Sequence, residues 1–122
     1  MKLTKFSEQK LQKTFDVWEV DDEYARPMIN YLVHGLSPGS FFTSVLANDF
    51  TGAMSHSHMA NSIPALKRLV AWLQFEMPSE AWGNHRSVSL WIKKSEEDRR
   101  KILEDRCLIL TAEQETWETL KD

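Results

Sequence analysis

Apolar side chains recur at helical spacing through the middle of the chain. In the clearest run they are three or four positions apart: Ile63, Leu66, Leu69, Val70 and Leu73. This spacing predicts an amphipathic helix that begins after Asn61 or Ser62. A broad apolar face over residues 40–54 predicts a buried central helix. A third pattern, after Pro27, predicts a helix that ends at Gly35, because glycine readily adopts the left-handed conformation that closes a helix.

The two ends of the chain give weaker patterns. Ser95 with Asp98, and Thr111 with Gln114, have the spacing of helix capping boxes. The apolar residues within 15–20 and 107–110 fit either a short strand or the end of a helix. We therefore predict a mainly α fold, a compact single-domain helical bundle of about five to six helices, with a short strand or two near the termini.

Composition and charge define the predicted domain. The chain has 122 residues, 42% hydrophobic and 27% charged, which is typical of one globular domain. Residues 1–26 hold five basic and six acidic side chains, residues 93–122 hold seven and nine, and the 66 residues between hold only three of each. We expect one domain over residues 1–122, with charged extensions at 1–22 and 93–122 around a helical core at 24–92.

Several classes of protein are excluded by what the sequence lacks. Its longest uncharged stretch, residues 27–48, contains Pro38 and Gly39, so we expect no membrane-spanning helix. The first residues lack the apolar run of a signal peptide. Cys107 is the single cysteine and cannot form an internal disulfide, which favours a reducing cytoplasm. A net charge of −3 without a strong basic cluster argues against duplex DNA as a partner.

The candidate residues for metal chemistry are His56, His58 and Asp49. Two imidazoles two positions apart converge on one ion only in an extended or turn segment, because on a helix they point to different faces. The alternative is a polar loop between helices. Asp49 fits either a general base or cation ligand in an apolar stripe, or a side chain hydrogen-bonded to nearby backbone. The chain contains no paired-ligand motif, and we predict no cofactor.

The candidate residues for partner binding are Trp82, His85 and Arg86. Trp82 lies beside Gly83 in a predicted loop, and tryptophan and arginine are concentrated at protein interfaces. The alternative is that Trp82, with Trp72 and Trp91, fills a small core. The sequence leaves both interpretations open.

Two segments resemble a known family. Residues 38–50 read PGSFFTSVLANDF, and Trp82-Gly83 and Trp91-Ile92 follow at the expected distance. Over about residues 24–92 the chain resembles a family of small proteins encoded by tailed phages and prophages. That family has no assigned activity, so the resemblance implies a phage or prophage source. The chain departs from the family at His56 and His58, where related proteins carry an acidic or polar pair, so the resemblance does not support a shared metal site.

These observations favour a non-enzymatic phage or prophage accessory protein that binds another protein, a host or defence factor, in the host cytoplasm. The alternative is a small metal-dependent hydrolase that uses His56, His58 and Asp49. Binding of single-stranded nucleic acid by exposed aromatic side chains is a weaker hypothesis for an acidic chain. Self-association as a homodimer is a further expectation, because a small core leaves apolar surface to cover.

Overall fold

The structure, a computed structural model, describes residues 1–57 and 62–121. The helices in these two ranges are α1 (Lys5–Val17), α2 (Asp22–His34), α3 (Ser40–Leu46), α4 (Phe50–His56), α5 (Ile63–Phe75), α6 (His85–Lys93), α7 (Glu96–Asp105) and α8 (Ala112–Lys121). One turn of 3-10 helix, Ser79–Ala81, lies between α5 and α6.

The prediction of five to six helices and a short strand or two is wrong. The described ranges form eight α-helices and contain no strand. The apolar residues that resembled strands are the ends of helices. Val20 donates its backbone N–H to the carbonyl of Phe15, and Leu108 donates to that of Leu103. These bonds close α1 and α7 by the Schellman motif, in which an apolar residue just beyond the helix packs back onto it.

The predicted central helix over residues 40–54 is two helices. Asn48 adopts a left-handed conformation, with φ of 61°, and ends α3. The N–H of Asp49 then bonds to the carbonyl of Ser44 at 2.8 Å, which completes a further Schellman closure. Asparagine tolerates this conformation better than most residues. The side chain of Asp49 caps α4 directly afterwards, so the chain changes direction between two short helices.

Both charged ends contribute side chains to the core. Phe15 of α1 stacks on Trp72 of α5, with ring centroids 4.3 Å apart. Leu103, Leu108 and Ile109 are buried as well. The core therefore includes side chains from both ends of the chain, and most charged residues of α1 and α7 lie on the outer sides of these two helices.

A buried arginine joins the ends of three helices. Arg99 of α7 is 4% exposed and donates hydrogen bonds to the carbonyls of Val33 in α2 and Lys94 after α6. The positive charge suits this position because helix carboxyl ends carry partial negative charge. Gly35, the predicted end of α2, has φ of 65°, and a Cβ there would lie 2.7 Å from the guanidinium. Glycine is thus required by both conformation and space.

Three predicted helix starts are confirmed. Ser62 accepts a hydrogen bond from the N–H of Ala65 at the start of α5, and Ser95 accepts one from Asp98 at the start of α7. Thr111 and Gln114 exchange two such bonds before α8. Ser7, which before Glu8 has the chemistry of a helix cap, is instead buried inside α1, and Thr4 caps that helix. Asn61, the alternative start of α5, lies outside the described residues.

Candidate functional site

An apolar groove runs between α3, α4 and α5. It has a volume of about 190 Å³. Its apolar lining residues include Phe41, Val45, Phe50, Met54, Leu66 and Val70. Phe50 is 76% exposed and Val70 is 41% exposed, so water reaches large apolar side chains here. We call this feature the α3–α5 groove.

The break between α3 and α4 creates the groove. Had residues 40–54 formed one straight helix, Phe50 would have continued the apolar stripe of Phe42 and Leu46. The left-handed Asn48 redirects the chain, and Phe50 becomes exposed as the first residue of α4. The expectation that Phe50 is buried in a central helix is therefore wrong. Asparagine followed by aspartate, both suited to helix ends, was the sequence signal for this break.

Asp49 holds the rim of the groove in place. Its Oδ1 accepts the N–H of Gly52 at 2.9 Å, and its Oδ2 lies 3.1 Å from Nε2 of His85 in α6. The pKa of Asp49 is held below its ordinary value of 3.8, first by the Gly52 hydrogen bond and then by His85. Gly52 permits this approach, because a Cβ at that position would lie 2.5 Å from Oδ2. Asp49 thus forms a hydrogen bond to nearby backbone, one of its two expected roles, and its partner is the N–H of Gly52.

The three predicted partner-binding residues lie at the start of α6 and just before it. His85 and Arg86 are exposed in its first turn. Trp82 is half-buried and packs against the core, so it lies between the two positions that the sequence left open. The N–H of Gly83 donates to the carbonyl of Leu46 in α3 at 2.7 Å. This bond and the His85–Asp49 contact attach the segment to the α3–α4 break, so it borders the α3–α5 groove.

The metal candidates are only partly described. His56 ends α4 and is exposed, close enough to Asp49 to contribute to its lowered pKa. His58 lies outside the described residues. Within the described ranges, no group of three or more histidine, cysteine, aspartate or glutamate side chains is arranged to hold a metal ion. The metal-dependent hydrolase that needs His58 therefore stays a prediction.

A larger open groove of about 890 Å³ lies between the N-terminal segment, α1 and α2. Its floor includes Leu11, Ile29 and Val33, and its rim mixes both signs of charge. Two of the rim side chains have partners on their own helix, since Gln12 bonds to Asp16 and Arg26 bonds to Asp22. These local contacts stabilise α1 and α2.

Sequence reasoning also missed residues of α8. Trp117 is 61% exposed and Leu120 is 76% exposed, although apolar residues that share one helical face usually pack inward. No residue of α8 is buried. Cys107 is exposed too, although its neighbours Leu108 and Ile109 are buried. For α8 the sequence pattern showed the helical position of these residues but not the direction in which their side chains point.

Comparisons with models of known protein families, with curated proteins and with solved structures found no match to this chain. Within the described residues, no helix is both long and apolar enough to cross a membrane. The candidate site must therefore be interpreted from its own geometry and chemistry.

Proposed function

We propose that this chain is a small phage or prophage accessory protein that acts by binding another protein, a host or defence factor, in the host cytoplasm. The phage or prophage source is supported by the resemblance of residues 38–50. The cytoplasmic location is supported by the single cysteine, Cys107, which has no partner for an internal disulfide. The binding role is supported by the shape and chemistry of the α3–α5 groove.

The observation that carries this proposal is the exposure of large apolar side chains along one groove. Phe50 and Met54 of α4 face the same groove as Val70 of α5. Exposed apolar surface of this kind, when contiguous and bordered by polar residues, is typical of interaction sites. We infer that an apolar side chain of the partner enters the groove and removes these residues from water.

The charges beside the groove define the chemistry of the partner. Lys67 follows Ile63 by four positions and precedes Val70 by three, so the three residues share the outer stripe of α5. Arg86 follows His85, whose side chain contacts Asp49 at the rim. Among the described residues, neither Lys67 nor Arg86 has an ion-pair partner. We therefore expect the partner segment to carry a carboxylate next to its apolar anchor.

The test is affinity capture from bacterial lysate with the tagged chain, at low and moderate salt, followed by mass spectrometry. Two variants address the groove, Phe50→Ser and Arg86→Glu. Two controls place comparable apolar-to-serine and basic-to-glutamate changes elsewhere, Val17→Ser at the exposed end of α1 and Lys101→Glu on α7. All four positions are exposed, so we expect each variant to stay folded, which circular dichroism checks.

We expect the unmodified chain and both controls to retain one protein in stoichiometric amount at both salt concentrations. Phe50→Ser and Arg86→Glu should each reduce the retained amount at least about tenfold, as is common for central interface residues. Retention of that protein by all variants equally would show that the groove is not the binding surface. Capture of nothing in stoichiometric amount would contradict the binding role itself.

A further inference from the structure

Helix α8 is attached to the rest of the chain by its polar side. Oγ of the buried Ser7 in α1 donates to Oε1 of Glu115 at 2.7 Å, and Nη2 of Arg100 in α7 donates to the same oxygen at 2.8 Å. The N–H of Leu110, just before α8, donates to Ser7 at 3.1 Å. Rotation of α8 to bury other residues would break this network, so its orientation is fixed.

The opposite side of α8 is apolar and exposed. Trp117 and Leu120 lie on it, together with Glu113 and Lys121, which follow the spacing of one helical face. These four residues form the α8 outer face. At about 100° per residue they lie roughly opposite Glu115. A helix that binds its own domain by a charged side and exposes its apolar side has the amphipathic pattern of an interaction helix.

The charges of the α8 outer face are complementary to those of a second copy. Glu113 precedes Trp117 by four positions, and Lys121 follows it by four. In an antiparallel pair of α8 helices centred on Trp117, each Glu113 therefore faces Lys121 of the partner subunit. A parallel pair would place like charges together. Antiparallel helices also align their dipoles favourably.

We propose that a second copy of this chain packs against the α8 outer face as an antiparallel, two-fold symmetric dimer. The two Trp117 rings meet at the axis, Leu120 packs beside them, and ion pairs between Glu113 and Lys121 of the partner subunit close both ends. In the single chain Lys121 lies 3.6 Å from Glu118 and 5.8 Å from the Trp117 ring centroid, so it is already positioned at this surface.

The dimer is expected to be weak. Ten residues of helix span only about 15 Å, so the contact is smaller than the surface of about 800 Å² per partner found in stable complexes. A dissociation constant on the order of 10 µM is consistent with such a contact. This dimer uses no residue of the α3–α5 groove, and Phe50→Ser and Arg86→Glu should leave it unchanged. If the dimer does not form, the proposed function is therefore unaffected.

Sedimentation velocity over protein concentrations from about 1 µM to about 300 µM tests the proposal, because this range brackets the expected constant. The unmodified chain should change from monomer to dimer across the range. Trp117→Ser should remain monomeric throughout. Because α8 buries no residue, the variant should show the same helical circular dichroism as the unmodified chain.

A charge exchange identifies the antiparallel arrangement. Glu113→Lys and Lys121→Glu should each weaken the dimer about fivefold, since each replaces two exposed attractions by repulsions. The double variant Glu113→Lys/Lys121→Glu restores opposite charges across the axis and should return the dissociation constant to within about twofold of the original. Glu97→Lys on α7 is the control and should have no effect.

Three results would overturn the proposal. The first is a chain that stays monomeric at the highest concentration. The second is a dimer that persists in Trp117→Ser. The third is a double variant that is no tighter than the single variants, because an attraction of another kind would then hold the two copies together.

Discussion

Helices α7 and α8 are consecutive and equally long, and yet they meet the rest of the molecule in opposite ways. Each has ten residues and begins with a side-chain cap, Ser95 or Thr111. Helix α7 buries Leu103 and Arg99 in the domain, whereas α8 buries none of its residues. The two helices differ in whether their apolar side points toward the core or toward solvent.

The comparison shows what amphipathic spacing does and does not determine. Spacing determines which residues share a face, but the contacts across that face determine whether it is turned inward. For α7 the inward contacts are the carbonyl groups of Val33 and Lys94, together with the apolar core. For α8 the inward contact is the Ser7–Glu115–Arg100 network, which leaves the apolar side to solvent.

Identical substitutions in the two helices give the largest expected contrast. Leu103→Ala in α7 removes a fully buried side chain and should lower the free energy of unfolding by about 2–5 kcal/mol. Leu120→Ala in α8 removes one that is 76% exposed and should change it by no more than about 0.5 kcal/mol. Urea unfolding of the monomer, at about 1 µM, measures both. Equal losses would show that the outer side of α8 belongs to the cooperative core.

The buried charge of α7 gives the next largest effect. Arg99→Met leaves the carbonyls of Val33 and Lys94 without their donor. Because a buried unsatisfied group costs about 1–3 kcal/mol, we expect the free energy of unfolding to fall by about 2–4 kcal/mol. Lys101→Met on the exposed side of α7 is the matched control and should change it little. Urea unfolding compares the two variants.

The result for Arg99 also separates charge from hydrogen-bond geometry. Arg99→Lys keeps the positive charge near two helix ends but lacks the planar fork that reaches two carbonyls at once. We expect it to recover less than half of the stability lost in Arg99→Met. Full recovery would mean that charge alone stabilises this junction, and an Arg99→Met variant as stable as the control would contradict its structural role.

The features predicted correctly from sequence depend on local chemistry. Ser62, Ser95 and Thr111 cap helices because their hydroxyl groups reach backbone N–H groups three residues further on. Gly35 ends α2 because its φ is positive. Each of these depends on a few neighbouring residues, which a single sequence displays directly.

The features predicted wrongly depend on distant contacts or on a balance between local alternatives. The break at Asn48 divides one predicted helix, because a left-handed asparagine and the Asp49 cap together outweigh a continuous apolar stripe. The burial of Ser7 depends on Glu115, which is 108 positions away. The α3–α5 groove results from the break at Asn48, and the orientation of α8 results from the Ser7–Glu115 hydrogen bond. Neither candidate surface could therefore be derived from spacing alone.

The caps of α7 and α8 give the smallest and most local contrast. Ser95→Ala should lower the free energy of global unfolding by about 1 kcal/mol, because α7 unfolds together with the core that it helps to form. Thr111→Ala removes the equivalent hydrogen bond from Gln114 and should change global unfolding by less than about 0.5 kcal/mol, since a helix without buried residues can open separately. Urea unfolding measures both.

Hydrogen exchange completes this test, because it reports the opening of each helix by itself. In Thr111→Ala the amide groups of α8 should exchange faster while those of α7 keep the rate of the unmodified chain. In Ser95→Ala the core amides should exchange faster in parallel with the lower global stability. If Thr111→Ala instead accelerates exchange in α7 as well, the Ser7–Glu115–Arg100 network couples the two helices into one unfolding unit. The two helices would then differ in the chemistry of their exposed surfaces and not in their stability.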